Sequence, residues 1–135
     1  MTIDERVSIG RLAKAASTKV VTIHYYERIG LLPRPPRTSG NYRSYDHEHV
    51  SRLRFIRRCR DLGFTLDQIR DLLRLSAHKE QDCTNVDRLA AAHLAEIEGK
   101  IADLNRLAVE LRRLNNCCVG GGRIADCRII EALSD

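Results

Sequence analysis

The chain is 135 residues long, with 43% hydrophobic residues, 4% aromatic residues and no tryptophan. That is enough apolar material for one small domain plus an accessory element, with an aliphatic core of a kind that suits helices better than a β-sandwich. The net charge of +5 is uneven: residues 1–78 hold fifteen Lys/Arg against eight Asp/Glu, and residues 79–135 hold eight against ten. A basic N-terminal half suits a polyanion such as a nucleic-acid backbone, or a solvated basic surface. No stretch of about eighteen apolar residues exists, so no membrane span is expected.

The first residues are polar, without the apolar stretch of a signal peptide, which predicts a cytoplasmic protein whose five cysteines are thiols. Clustered thiols in a reducing compartment point to metal or redox chemistry.

In chain order, Ser8 is expected to cap a short helix over 7–16, with Ile9, Leu12 and Ala13 on one face. Ser17 and Thr18 should break that helix and cap a second, Lys19–Arg28, which stops at Gly30. Two short helices across a tight polar turn have the form of a helix-turn-helix. Pro33, Pro35 and Pro36 then exclude a helix, and Gly40-Asn41 signals a turn. A short strand over Asn41–Tyr45 is expected to pair with Leu31–Arg34 as a β-hairpin wing. Arg37, Asn41, Tyr42, Arg43 and Tyr45 there supply hydrogen-bond donors for phosphate.

Asp46 should cap a third helix, to about Leu62, ended by Gly63 and carrying Arg52, Arg54, Arg57, Arg58 and Arg60 on a polar face. Thr65-Leu-Asp-Gln68 reads as a capping box opening a fourth helix, to about Leu75. After a polar break comes a long proline-free segment, Thr84 to Asn116. Ala90, Leu94, Ile97, Ile101, Leu104, Ala108 and Leu111 recur there at heptad spacing. One lone helix cannot bury such a seam. A second copy of the chain is the expected partner; the other possibility is the N-terminal domain, which offers little spare apolar surface.

Cys83 stands at the start of this helix, and Cys117, Cys118 and Cys127 lie just past its end, around a loop with three consecutive glycines. At about 1.5 Å per residue, the helix holds Cys83 and Cys118 roughly 50 Å apart, too far to share an ion within one chain. Antiparallel pairing of two helices would bring Cys83 of one copy beside Cys118 and Cys127 of the other. Three thiolates make a soft site that suits Hg(II), Pb(II) or Cd(II). Zn(II) would want a fourth ligand, from Cys117 or water. Cys59, inside the third helix, reads as a small core residue, and His93 as structural.

The residues Ile-His-Tyr-Tyr-Glu-Arg-Ile-Gly-Leu-Leu (23–32), Asn-Tyr-Arg-Ser-Tyr (41–45) and Leu-Arg-Phe-Ile-Arg-Arg-Cys-Arg-Asp-Leu-Gly-Phe-Thr-Leu-Asp-Gln-Ile (53–69), followed by a long helix with terminal cysteines, resemble the MerR family of transcription regulators across essentially the whole chain. The resemblance implies a mainly α fold: a winged helix-turn-helix DNA-binding domain over 1–76, a linker and antiparallel coiled-coil dimerisation helix over 77–116, and a metal-binding loop and helical turn over 117–135. It implies that Lys19, Thr22, His24, Tyr25, Tyr26 and Arg28 lie near bases or phosphates, and that Tyr42, Arg43, Arg57 and Arg58 grip the backbone. His24 stands where many members carry Arg. Members bind palindromic promoter DNA as homodimers and distort it for RNA polymerase when the effector binds. Cysteine at position 83 resembles the divalent-ion sensors. The cysteine spacing is similar to that of the family's mercury-sensing branch, a resemblance that puts Hg(II) first, with Pb(II), Cd(II) and Zn(II) as alternatives and a Cu(I) or redox sensor behind them. No nucleophile–base pairing, phosphate loop or catalytic metal motif suggests an enzyme.

Overall fold

A computed structural model describes residues 6–37, 39–40, 42–117 and 120–135. They form two compact units, Met1–Cys83 and Thr84–Asp135.

The first unit is built from four helices and an irregular wing. Helix α1 spans Ile9–Ala15, and the side chain of Ser8 caps it by accepting from the Arg11 amide at 3.3 Å. The turn that follows places Ser17 at a φ of 49°, in the left-handed region that non-glycine residues seldom enter. Helix α2 spans Val20–Arg28 and its N-cap is Lys19, whose side chain makes no capping bond. The expected cap by Thr18 is therefore corrected. Its hydroxyl is committed to the preceding helix, donating to the Ala16 carbonyl at 2.9 Å. At the far end of α2, Gly30 takes a φ of 78°, so the chain can turn back and bury Leu31 and Leu32.

The expected pairing of 41–45 with Leu31–Arg34 is not what forms. Arg37 bridges Arg43, and Tyr45 pairs instead with Val7 through Val7 N–H to Tyr45 O at 2.8 Å and Tyr45 N–H to Val7 O at 2.9 Å. Pro33, Pro35 and Pro36 have no amide hydrogen to give a ladder, so pairing begins only at Arg37. The carbonyl of Pro35 accepts a side-chain bond from Arg43 instead, at 3.0 Å.

Helix α3 spans His47–Asp61 behind a reciprocal cap: Asp46 accepts from the His49 amide, and the His49 ring bonds back to the Asp46 amide. Helix α4 spans Leu66–Ser76 behind the Thr65–Gln68 capping box, as its sequence predicts. Leu12, Ala16, Ile23, Leu32, Tyr45 and Leu53 form the central core cluster, with Val7, Ile9, Ala13, Tyr26 and Val50 packed against it. Cys59 is buried, and burial pushes its thiol above the ordinary range, as suits a core residue.

Of the arginines expected on a polar face of α3, Arg54, Arg57, Arg58 and Arg60 are exposed, yet several, with Arg70 of α4, also reach back to backbone carbonyls. Arg54 donates to the Ala15 carbonyl at 3.2 Å, and Arg57 donates to the Ser17 carbonyl. Arg52 reaches the Leu31 carbonyl at 2.7 Å and Arg70 the Ile29 carbonyl at 2.6 Å. These carbonyls lie at and just beyond the C-terminal ends of α1 and α2, where helical partners run out and the dipole is negative. Guanidinium groups from the second helix pair thus hold the helix-turn-helix in place.

The second unit is dominated by α5, Thr84–Asn116, whose 33 residues make a rod of about 50 Å. Ion pairs Arg106–Asp103 and Arg113–Glu110 decorate its surface. A glycine loop and a 3₁₀ turn over Ile124–Asp126 follow, and α6, Arg128–Ser134, packs back against α5. Gly120 and Gly121 have φ values of 81° and 72°, which a side chain would strain. Among the described residues no helix is long and apolar enough to cross a membrane.

Candidate nucleic-acid interface and thiol sites

Helix α2 has one face in the core, through Ile23 and Glu27, and another that carries the expected readers. Lys19, Tyr25, Arg28 and His24 are exposed, and Thr22 is half-buried. Tyr25 sits with its ring centroid 6.1 Å from that of Tyr26, and the Arg28 guanidinium lies 5.8 Å above the Tyr25 ring. Tyr26 differs from the others: it packs on the core, and burial raises its phenol above the ordinary range. Its ring supports the helix more than it faces outward.

The wing contributes Arg37, Tyr42 and Arg43. Tyr42 is 73% exposed, while Arg43 is half-buried and tied to Pro35. Asn41 lies outside the described residues. A cavity of about 520 Å³ lies between the wing and α2, lined by Arg6, His24, Arg37, Tyr42, Arg43 and Tyr45 among others. Arg58 on α3 is exposed. Arg57 holds the Ser17 carbonyl and lies 4.0 Å from Asp61, so it fixes the turn before α2.

Beneath this surface lies a group that the sequence reading left out. The Glu27 side chain is only 2% exposed, and it accepts from the Tyr45 hydroxyl at 3.1 Å while facing His24 Nδ1 at 3.2 Å. A buried carboxylate is costly unless donors satisfy it, and here both oxygens have a partner. Burial, then the charge of Glu27, push the Tyr45 phenol up to about 12, so it stays protonated and donating. The signal was present in the sequence: Glu27 follows the core residue Ile23 by four, which puts both on one helix face.

Cys83, Cys117 and Cys127 are free thiols. Cys83 directly precedes α5, Cys117 follows its last residue, and Cys127 precedes α6. Cys118 lies outside the described residues. The Cys117 thiol donates to the Arg113 carbonyl at 3.4 Å, a weak bond that leaves the sulfur available. Cys117 and the half-buried Cys127 line a cavity of about 450 Å³ with the glycine loop. Arg123, expected to offset thiolate charge, is paired at 3.2 Å with Asp126 of its own loop. Among the described residues no three potential metal ligands gather in one place. Exposed thiols with soft sulfur donors fit a thiophilic ion, but the set is incomplete within the described part of a single chain.

Of the seam residues, Leu94, Ile101, Leu104 and Leu111 are each more than half exposed, and Ile97 and Ala108 are half-buried. Leu107 and Val109, which the heptad pattern omitted, are equally exposed.

Residues 7–76 match the "MerR HTH family regulatory protein" family, and residues 50–114 match "MerR, DNA binding". The chain is 41% identical over 128 residues to the HTH-type transcriptional regulator HmrR of Sinorhizobium medicae, covering 95% of this chain and 86% of that protein. It is 40% identical over 125 residues to the mercuric resistance operon regulatory protein of Bacillus cereus, covering 93% of this chain and 95% of that one. Its fold is similar to the crystal structure of the transcription regulator PbrR691 from Ralstonia metallidurans in complex with lead(II), with a TM-score of 0.85, 42% identity, and coverage of 94% and 98%. The chain belongs to the MerR family of helix-turn-helix transcription regulators, DNA-binding proteins rather than enzymes.

Proposed function

We propose that the chain is a metal-responsive regulator that binds a palindromic promoter site as a homodimer. A thiophilic divalent ion would be held at the dimer interface by Cys83 of one copy with Cys118 and Cys127 of the other, with Cys117 as a possible fourth ligand. The observation that carries this reading is the length of α5: about 50 Å of helix separates Cys83 from the thiols beyond Asn116. The exposed leucines and isoleucines along that rod support a second copy as its partner, running in the opposite sense.

Lys19, Thr22, His24, Tyr25 and Arg28 on α2, Arg37, Asn41, Tyr42 and Arg43 on the wing, and Arg58 on α3 make the DNA-facing set. Tyr26 and Arg57 back it by fixing the helix and its turn. A bound ion would supply the bonds that tie the two copies together at each end of the rod. Gly120 and Gly121 shape the loop beside the thiols, at backbone angles that a side chain would strain. Closure at the rod ends would bias the spacing of the two DNA-binding units. The regulator would then bend and untwist its promoter so that RNA polymerase can initiate, a coupling of effector binding to DNA deformation.

Hg(II) is the first-choice effector on donor chemistry, since three sulfurs suit it; a mercuric resistance regulator at 40% identity and a ZntR homolog at 43% are alike in distance from this chain. Pb(II) is the second reading, favoured by the 0.85 TM-score to a lead(II) complex. Cd(II) and Zn(II) follow on donor chemistry. Titrating the reduced dimer with each ion, and with Cu(I), reads sulfur coordination from charge-transfer absorption. Cys83→Ser should lose the divalent-ion response and keep operator binding. An unchanged metal response in that variant would remove Cys83 from the site.

A further inference from the structure

The groove between α2 and the wing holds an ionisable ring whose chemistry the DNA-binding reading leaves unspecified. The His24 side chain is 55% exposed, yet its Nδ1 is fixed 3.2 Å from Oε1 of the buried Glu27 carboxylate. The other oxygen of Glu27 takes the Tyr45 hydroxyl. Two facing acceptors would repel at that distance, so Nδ1 carries a hydrogen and donates it to Glu27. Two ring states meet this condition. The neutral ring presents a bare Nε2, an acceptor; the imidazolium presents Nε2–H, a donor.

Charges of both signs surround the ring: Glu27 on its own helix, and Arg37 and Arg43 of the wing with Arg6 of the N-terminal segment, which line the same groove. Tyr42 and Tyr45 complete its ionisable lining, and Tyr45 is held neutral. Phosphate entering this groove would neutralise the guanidiniums and attract the imidazolium directly. The complex would then hold the ring proton more tightly than the free chain does.

We infer that His24 is a specificity-determining residue of the DNA interface whose ring takes up a proton on operator binding, with Glu27 as the positioning residue that fixes its tautomer. The inference rests on the DNA-binding reading above. Neutral His24 would read a donor on a base edge; charged His24 grips phosphate or guanine acceptors. By linkage, affinity rises as pH falls, by at most about tenfold per pH unit for each proton taken up, and a dimer brings two His24 rings.

The test uses the full-length dimer and a duplex selected with it from a random-sequence library, at constant ionic strength, from about pH 6 to 8.5. Wild-type affinity should rise toward low pH. His24→Asn keeps an amide donor for Glu27 but gains no charge, and its profile should be flat. His24→Arg should bind tightly with no slope, and Glu27→Gln should show a smaller slope than wild type. Nitrogen-15 shifts of the ring should show Nδ1 protonated in the free chain, and at equal pH a larger fraction of rings with Nε2 also protonated in the complex. A flat wild-type profile, a slope that survives His24→Asn, or a neutral Nε2–H ring in the free chain would overturn the inference. Absence of DNA binding at every pH would take the DNA-binding reading down with it.

Discussion

Replacing Tyr45 by Phe removes one oxygen atom from the middle of the DNA-binding unit and tests how its recognition helix is joined to its wing. The ring is fully buried, so the phenylalanine keeps the same apolar contacts and the hydrophobic contribution barely changes. What is lost is the 3.1 Å bond to Glu27 Oε2, leaving that oxygen of a 2%-exposed carboxylate without the Tyr45 hydroxyl as donor. Hydrogen bonds to charged groups contribute about 1.5–3 kcal/mol, and the expected loss lies in that range. For a unit of this size that corresponds to a fall in Tm of roughly 10 °C. With Glu27→Gln in the background, the same substitution breaks a bond between neutral groups and should cost only about 0.5–1.5 kcal/mol. The assay is urea and thermal unfolding of the four proteins of the double-mutant cycle, at one protein concentration because dimerisation adds to apparent stability. A Tyr45→Phe cost under about 0.5 kcal/mol, or equal costs in both backgrounds, would refute the buried-carboxylate account.

Leu104→Asp places a charge in the middle of the exposed apolar stripe of α5 and should convert the proposed dimer to monomer in sedimentation velocity; a variant that stays dimeric would mean that the seam lies elsewhere. Asp46→Ala removes the α3 cap and should cost about 1 kcal/mol in urea unfolding. Because the bond from His49 holds the Asp46 carboxyl below its ordinary value of 3.8, its contribution is complete above that value and is lost as pH falls through the depressed one; wild type should therefore lose more stability on acidification than Asp46→Ala does. At the alkaline end, Tyr45 ionises only at about 12 in the folded chain and at 10.0 when unfolded, so stability should fall across that interval, and ultraviolet titration should show one phenol ionising late.

Local chemistry made much of the fold legible in advance. Ser8, Asp46 and Thr65 announced three helix starts, Gly30 and Gly63 marked two ends, and proline-free heptads marked α5. What escaped were interactions between residues far apart in the chain. Arg54 and Arg57 look like solvated charges on a helix surface, and their carbonyl partners lie 39 and 40 residues earlier. Glu27 looks like one more charge on the recognition helix until Tyr45 closes over it. Tyr45 bridges Val7 instead of the expected Leu31–Arg34, which holds Pro33 and runs straight into Pro35 and Pro36. Periodicity reports which face of a helix is apolar, but not which polar group another element will cover.

The shared-thiol site can be tested by mixing two defective chains. One carries Cys83→Ser; the other carries Cys118→Ser and Cys127→Ser. Head-to-tail pairing of a mixed dimer unites the intact Cys83 of the second chain with the intact Cys118 and Cys127 of the first. The prediction is one Hg(II) site with three-sulfur absorption per mixed dimer, and none in either parent. A mixed dimer with no more three-sulfur absorption than its parents would contradict the account.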